Sequence, residues 1–447
     1  MDMNIVKRYS LIELVLLAIF FIGLLISGLI VKMRSRIQLS TPLELPGSGV
    51  TVYLPEGSGW EYTPTWQYEE SADCMALISQ FRNISGRGIE VRWRYYFSTP
   101  AGSENELLQK QADSIGAEIL MVGTTGQENR MVYARMISHG ATTEEFYVGM
   151  LRLDYDRSVE LFVKSYGMSS TYEDSVFELL AQSMTYQRPQ ELEDGRTFLD
   201  QFLEKSSRLD SADQWADEAF IINTVQGSAV GYYYAHRSSH TNQDEMLSHI
   251  QIRHVDNILF NLKSDLWFSP IRKSYRWDTA IQFPDARGPR SFQLELDENE
   301  VFSIVSNTTK PRSIKNVHFF LPEVLLTQAA ISFAQSSFDA IVVDVVSASG
   351  QFVPVLLTKI EPEQSHARSE QVASVVRMDY LHQEDSYEDL LFDASSKLLG
   401  KYEQISHRSI RIWNAADPTE LQNRFNLNFQ ELMNEVARNT NRQAETI

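Results

Sequence analysis

The chain has very little cysteine and none of the common catalytic motifs. Cys74 is the only cysteine among 447 residues, so no disulfide can form within the chain. Its neighbours, "DCMALISQF", form an apolar, strand-like run, which favours a small buried side chain over a nucleophile. No G-x-S-x-G, P-loop, G-x-G-x-x-G, H-E-x-x-H or EF-hand loop is present. We therefore predict a protein that is not an enzyme and uses no cofactor.

Positive charge is also scarce. The chain has 40 Lys and Arg residues against 59 Asp and Glu residues, which gives a net charge of −19. Such an acidic surface disfavours phosphate backbones, so we exclude nucleic acid as a partner. The hydrophobic content of 43% is typical of folded protein, and the chain is too long for one ordinary core.

One long apolar run lies near the start of the chain. Residues 14–31 carry no charge, and as a helix rising about 1.5 Å per residue they would cross a hydrocarbon core of about 30 Å. No small-x-small cleavage site follows the run. We predict that residues 1–36 are a transmembrane signal-anchor, in contact with the membrane through residues 11–31. This implies a single-pass bacterial inner-membrane protein whose body faces the periplasm or the exterior.

Glu13 is the one acid inside the apolar run. The stretch Y-S-L-I-E-L-V resembles the start of type IV pilin-like proteins, in which the fifth residue of the mature helix is an acid; Glu13 is fifth from Tyr9. Arg8 stands where pilin processing needs a small residue. The resemblance implies a component of a pilin-like or secretion apparatus. The alternative is that Glu13 reaches the headgroups from just inside the apolar boundary.

The next part of the chain predicts an α+β domain. Residues 37–49 predict a short extended stalk, and residues 50–188 predict several strands, the clearest at 89–97. Ser103 and Glu106 have the spacing of a capping box that opens a helix. "VYLPEGSGW" at the start of the domain and "YEDSVFELLAQSMTYQ" at its end resemble the PsbP-like domains.

The polar stretch 188–195 predicts a domain boundary, and residues 195–447 predict ten or more strands with few helices. The order of elements over about 215–415 resembles the bacterial lipoprotein-carrier (LolA-like) half-barrels, and "LLFDASSKLLGKYEQ" resembles their edge hairpins. That resemblance implies a concave sheet that holds an acyl chain. The predicted fold class is α+β: an N-terminal transmembrane helix followed by two antiparallel-sheet domains, the second a large curved sheet with a few helices.

An aromatic face is predicted on the strand 272–283 and on the strand that follows it. In an ordinary sandwich this face is core. In an open half-barrel it would line a cavity for an apolar ligand, and arginines of the connecting loop would meet a carboxylate or phosphate head. The predicted ligand-binding residues are Tyr275, Trp277, Ile281, Phe283, Arg287, Arg290 and Phe292.

Four of the nine histidines cluster on two further predicted strands joined by a polar stretch, 237–246, that predicts an exposed hairpin loop. Imidazoles and carboxylates from neighbouring strands could bind zinc, although the spacing matches no standard site. The alternative is that these histidines are solvated surface residues. The predicted metal ligands are His236, His240, His249 and His254.

Together these patterns predict a membrane-anchored, non-enzymatic bacterial envelope protein with a binding or scaffolding role outside the cytoplasm. Its expected partners are an apolar ligand, or another envelope protein such as a lipoprotein. Two alternatives stay open. One is an assembly component of a pilin-like or secretion apparatus, and the other is an unfamiliar metal-dependent hydrolase centred on the histidines.

Overall fold

The structure is a computed structural model that describes most of the chain. The described residues are 19–22, 37–69, 72–82, 87–99, 102–125, 130–139, 143–154, 157–167, 170–206, 218–242, 244–256, 258–269, 271–282, 290–307, 310–315, 317–365, 371–383, 385–405, 409–429, 431 and 434. Strands predominate among their elements.

The strands before residue 187 form an eight-stranded antiparallel sheet and two small sheets. The order in the larger sheet is β5-β7-β8-β12-β11-β10-β9, and β6 also pairs with β7. The bounds of these strands are β1 Gln38–Leu39, β2 Leu43–Leu45, β3 Val50–Val52, β4 Pro55–Glu56, β5 Trp60–Tyr62, β6 Gln67–Glu69, β7 Cys74–Arg82, β8 Gly88–Tyr96, β9 Ala117–Thr125, β10 Met131–His139, β11 Thr143–Arg152, β12 Ser158–Tyr166 and β13 Thr185–Tyr186.

All later strands among the described residues belong to one fifteen-stranded sheet, ordered β21-β20-β19-β18-β17-β16-β15-β14-β28-β27-β26-β25-β24-β23-β22. Every pair is antiparallel except β22 with β23. The bounds are β14 Glu218–Asn223, β15 Ala229–Asn242, β16 Asp244–Val255, β17 Ile258–Ser269, β18 Ser274–Gln282, β19 Arg290–Leu296, β20 Val301–Ser306, β21 Arg312–Lys315, β22 Leu321–Pro322, β23 Ala340–Val346, β24 Phe352–Ile360, β25 Ser374–Tyr380, β26 Tyr387–Phe392, β27 Leu398–Ile405 and β28 Ser409–Ala415.

The helices cover these sheets. They are α1 Glu104–Ile115, α2 Ser170–Ser183, α3 Gln190–Ser206, α4 Leu326–Ala334 and α5 Pro418–Phe425, with 3₁₀ turns at Glu323–Leu325 and Pro362–Gln364. The predicted capping box is confirmed, because the Ser103 hydroxyl accepts from the Glu106 backbone and the Glu106 side chain accepts from the Ser103 backbone. Helix α1 packs on one face of the eight-stranded sheet and α2 on the other.

The large sheet cannot be flat. Strands spaced about 4.8 Å apart would separate the outer strands β21 and β22 of a flat fifteen-stranded sheet by about 67 Å. The chain passes from Lys315 at the end of β21 to Leu321 at the start of β22, and six residue steps reach about 22 Å at most. The sheet therefore curls until its two ends approach each other, which gives a β-rich, barrel-like fold.

The interior is filled where the two ends of the sheet face each other. We call β17 to β21 the first arm and β22 to β26 the second arm. The rings of Phe302 on the first arm and Phe352 on the second have centroids 4.8 Å apart, and Phe320 lies 4.2 Å from Phe352. The Thr279 hydroxyl donates to the Ala348 carbonyl at 2.8 Å. The arms are thus in direct contact through apolar side chains.

The predicted α+β class is wrong, because the described residues are mostly β. Few segments have helical periodicity, and their helices serve as covers for the sheets. The predicted transmembrane helix is also contradicted: no helix among the described residues is long and apolar enough to cross a membrane. The predicted location as a single-pass inner-membrane protein is wrong on the same finding.

Within the predicted span 11–31 the structure describes residues 19–22, which are helical and exposed. An apolar run indicates which residues avoid water, but by itself it does not establish a continuous helix through the whole run. The rest of residues 1–36, including Glu13 and its predicted pilin-like role, lies outside the described residues.

One hydrophobic cluster runs from the eight-stranded sheet into the second arm of the large sheet. Helix α3 joins the two parts, and at Gly195 its backbone lies so close to β23 that a Cβ would be 1.9 Å from the Val342 carbonyl oxygen. The predicted boundary at 188–195 falls on the start of this helix, and the division into domains 50–188 and 195–447 stays a prediction.

A buried ion pair also connects the two parts. The Arg157 guanidinium, which follows the β11–β12 turn, donates to the Asp344 carboxylate on β23. Both residues are at most 5% exposed. Burial alone would raise the pKa of Asp344, but the charge of Arg157 and the hydrogen bond from His318 outweigh it and hold that pKa well below its usual range.

We predict that Asp344→Asn destabilises the protein by about 3–5 kcal/mol at neutral pH, because it leaves the Arg157 charge buried without its partner. The stabilisation from Asp344 is fully present above the pKa of an aspartate in the unfolded chain, about 3.9. It is lost as the pH falls through the lower pKa of Asp344 in the folded protein. The difference from the wild type in urea unfolding should therefore shrink on acidification below that unfolded value.

Asp200→Asn is the control, because Asp200 forms an exposed pair with Lys273 at 2.6 Å. That substitution should cost at most about 1 kcal/mol. Equal effects of the two substitutions would contradict the role given to the buried pair.

Candidate functional site

The predicted aromatic face lies on the inner side of the first arm. Tyr275, Trp277 and Ile281 of β18 are 3%, 0% and 4% exposed. Phe292 on β19 pairs with Thr279 and is half-buried beside the same core. The structure therefore brings these four predicted ligand-binding residues together on one surface that packs against the second arm.

Two of the other predicted ligand-binding residues, Phe283 and Arg287, lie outside the described residues. Arg290 is exposed at the start of β19, and because it pairs with Ile281 it lies on the same face, at the exposed end of this surface. The loop arginines were expected to meet the head of a ligand, and that role stays a prediction.

Polar atoms without a partner lie on this inner surface. The Tyr275 hydroxyl, the Trp277 indole nitrogen and the Ser264 hydroxyl are buried and make no hydrogen bond to another described residue. Ser264 on β17 pairs with Thr279, two residues along β18 from Trp277. Burial raises the pKa of Tyr275 well above its ordinary value. Buried polar groups in folded proteins nearly always have a partner, so this surface has an unmet capacity to hydrogen-bond.

The predicted metal ligands do not converge. His249 is buried on the inner face, on the same side as Ser264, with which it pairs. His254 is five residues from His249 along β16, so it points to the opposite face. His236 pairs with Ile250, the residue next to His249, so His236 also lies on the opposite face. Because Ile250 and His254 are four residues apart on β16, His236 and His254 are separated by about 13 Å.

The side chain of His240 lies outside the described residues. Among the described residues, no group of three or more metal-ligating side chains is found.

A cleft opens at the end of the first arm, and we call it the closure cleft. Helix α3, the β17–β18 turn, the β19–β20 turn and the segment before β22 enclose it, with a volume of about 360 Å³. Its apolar lining consists of Leu199, Leu296, Val317 and Phe319. The Val317 backbone N–H donates to the Glu300 carbonyl at 2.9 Å, which connects the segment before β22 to the β19–β20 turn.

The floor of the closure cleft meets the predicted aromatic face. The rings of Phe319 and Tyr275 are in edge contact with centroids 5.9 Å apart, and Phe268 lies 6.1 Å from Phe319. A shallower cleft of about 280 Å³ shares Arg272 and Leu296 with the closure cleft and includes Tyr275 in its lining. Apolar surface is thus continuous from the cleft toward β18.

The rim of the closure cleft carries both charges, with acids in excess. The lining contains the bases Arg196, Arg272 and Lys273 and the acids Asp200, Asp297, Glu298 and Glu300.

Two of the bases are already paired. Arg196 donates to Asp154 at 2.8 Å, and Lys273 donates to Asp200 at 2.6 Å. The Asp297 carboxylate caps its own turn by accepting from the backbone of Asn299 and Val301. Glu298 and Glu300 are exposed beside these pairs, so the rim has a negative potential.

The surroundings of two groups with familiar catalytic chemistry, Cys74 and His318, constrain their protons. Burial and the nearby Glu69 carboxylate raise the pKa of the Cys74 thiol far above its ordinary value, so the thiol stays protonated. His318 lines the closure cleft, but its Nε2 lies 2.8 Å from the Asp344 carboxylate, which is already paired with Arg157.

The sequence did not point to the closure cleft. Its lining comes from one helix, two turns and a connecting segment that are up to 123 residues apart, between Arg196 and Phe319. No spacing rule relates such residues. The one available signal was Leu296, which continues the apolar alternation of β19 to the end of the strand.

We predict that Tyr275→Phe is neutral or stabilises the protein by up to about 1 kcal/mol, because its buried hydroxyl has no partner among the described residues. Tyr95→Phe is the matched control, since the equally buried Tyr95 hydroxyl contacts Arg157 at 3.2 Å and its loss should cost about 1–2 kcal/mol. Urea unfolding of both variants measures the difference. If Tyr275→Phe lowered the free energy of unfolding more than Tyr95→Phe, the Tyr275 hydroxyl would have a hydrogen-bond partner, contrary to this prediction.

Comparison with known proteins yields little. No family model matches the chain, and no curated protein is similar to it. A solved structure described as a beta-barrel-like protein of domain of unknown function DUF1849 from Brucella abortus matches with a TM-score of 0.34 and 7% identity. The match covers 45% of this chain and 95% of that chain. None of the PsbP-like, LolA-like and pilin-like resemblances is shown.

Proposed function

We propose that the protein is a non-enzymatic binding protein whose closure cleft holds a small ligand with an apolar body and a positively charged group. The observation that carries this proposal is an apolar floor, formed by Leu296, Val317 and Phe319, beneath a rim with an excess of acids. The apolar part of the proposal agrees with the ligand expected from the sequence. The charge of the ligand is opposite to that expectation.

The size of the cleft limits the ligand. Binding pockets for small molecules are about 300–1,000 Å³. The closure cleft, at about 360 Å³, is near the lower end of that range. It fits one short apolar chain or ring, and it is too small for the several acyl chains of a lipoprotein. We therefore favour a small apolar ligand over lipoprotein handling.

The charge of the ligand follows from the rim. Asp200 is neutralised by Lys273, whereas Glu298 and Glu300 have no cation within an ion-pair distance among the described residues. An ammonium group at the mouth of the cleft would gain from both carboxylates, each worth about 0.5 kcal/mol at an exposed position. A carboxylate at the same place would be repelled by both, and of the three bases in the lining two, Arg196 and Lys273, are already engaged with Asp154 and Asp200.

Binding without catalysis is supported by the surroundings of two groups whose side chains could in principle react. The Cys74 thiol is held protonated by burial, and the His318 ring is held by Asp344. A nucleophile needs a base that is free to take its proton, and neither group meets that condition.

Octylamine and octanoate test the proposal, because they have the same apolar tail and opposite charges. In isothermal titration calorimetry at low salt, we expect octylamine to bind the full chain at least about fivefold more tightly than octanoate. The two rim carboxylates together attract the ammonium group by about 1 kcal/mol and also repel the carboxylate. The preference should fall at high salt, since the rim is exposed.

Glu298→Gln with Glu300→Gln should abolish the preference for octylamine without loss of apolar binding. Glu361→Gln should leave the preference unchanged, because Glu361 is not part of the cleft lining. Leu296→Glu should weaken binding of both compounds by placing a charge in the floor. Failure of both compounds to bind, or a preference for octanoate, would overturn the proposal.

A further inference from the structure

The outer edge of β9 is an open sheet edge with an unusual composition. In the described residues, β9 is the last strand of the eight-stranded sheet, and no strand pairs with its outer side. Glu118 is its one charged residue among nine. Leu120, Met121 and Val122 at its centre are 47%, 46% and 50% exposed. An exposed apolar edge of this length is a template for pairing with another strand.

Other outer strands of the protein lack these properties. In the large sheet, β21 is four residues long and carries Arg312 and Lys315, and β22 consists of two residues that include Pro322. At the other end of the eight-stranded sheet, β5 has three residues. Short length, positive charge and proline are the usual means by which proteins prevent edge pairing. At β9 the edge has none of these.

A β-bulge contributes to the exposure of the apolar centre. Arg135 of β10 pairs with Met121, but the next residue, Met136, pairs with Ile119, so Leu120 is an extra residue in β9. Ile119 and Met121 therefore point to opposite faces although they are two residues apart. Ile119 packs under α1, while Met121 and its neighbours are left at the surface.

We infer that β9 pairs with β9 of a second copy of this chain, antiparallel about a twofold axis, to give one continuous sheet. When the two nine-residue strands overlap fully, Met121 lies near the axis. Glu118 of one copy then pairs with Thr124 of the other. The exposed residues 120–122 of the two copies cover each other.

Charge is complementary in this arrangement. The guanidinium of Arg130 is next to Thr124, whose hydroxyl it reaches at 3.3 Å. Antiparallel pairing therefore brings Glu118 of each copy close to Arg130 of the other, twice per dimer. Parallel pairing would instead place the two Glu118 side chains side by side. At a net charge of −19 per chain, β9 is also a place where two copies meet with little repulsion.

Sedimentation of the full chain over a range of concentrations tests this inference. We expect a reversible dimer in the wild type and at least a tenfold weaker dimer in Met121→Lys, which brings like charges to the axis. Val305→Lys is the matched control, because Val305 is a strand residue that is 43% exposed, and its strand is paired on both edges. It should dimerise like the wild type.

Two further variants identify the interface. Met121→Cys should give a disulfide-linked dimer with oxidised glutathione, whereas Val305→Cys should not; Cys74 is buried and should not react. Glu118→Arg and Arg130→Glu should each weaken the dimer, and the double variant should restore it. A wild-type monomer at all concentrations, or a dimer unaffected by Met121→Lys, would overturn the inference.

Discussion

The short connection between the outer strands of the large sheet constrains the rest of the structure. Only five residues separate β21 from β22 along the chain, yet these are the two outer strands of a fifteen-stranded sheet, with thirteen strands between them. The sheet must curl, and a round barrel of that many strands would leave a wide lumen. Direct contact between the arms avoids this lumen. Phe302, Phe320 and Phe352 fill the space and remove their apolar surface from water.

The position of the candidate site follows from the same constraint. Where the arms touch, the inner face becomes core, so Trp277 is fully buried. At the end of the first arm, the β17–β18 turn, the β19–β20 turn and α3 do not pack closely, and the space between them is the closure cleft. Helix α3 can pass this close to β23 because residue 195 is a glycine, and the Arg157–Asp344 pair connects the eight-stranded sheet to the same strand.

Local features were predictable from the sequence because they depend on neighbouring residues. The Ser103–Glu106 capping box is confirmed, and the alternation over 89–97 matches β8. The polar stretch 237–246 was wrongly expected to be an exposed loop, because β15 and β16 continue to Asn242 and Asp244. Polar residues can extend a hairpin when each strand has a partner for its backbone.

Long-range features were not predictable. The hairpin of β26 and β27 was expected at a sheet edge, but β25 and β28 cover both of its sides. Hydrophobic alternation predicts which face of a strand is buried, but it does not predict which strands pair with it. The closure cleft depends on residues from separate elements, of which Leu296 alone belonged to a recognised pattern. The predicted span of residues 11–31 was based on apolar composition alone, which does not by itself establish a spanning helix.

A double-mutant cycle between the arms tests the central claim most directly. Phe302→Leu and Phe352→Leu each remove ring contact across the interior, and the two rings touch at a centroid distance of 4.8 Å. If the arms pack against each other, the free energies of unfolding of the two single variants and the double variant should be non-additive by about 0.5 kcal/mol or more. Additive effects would place the rings apart and contradict the account of a sheet folded onto itself.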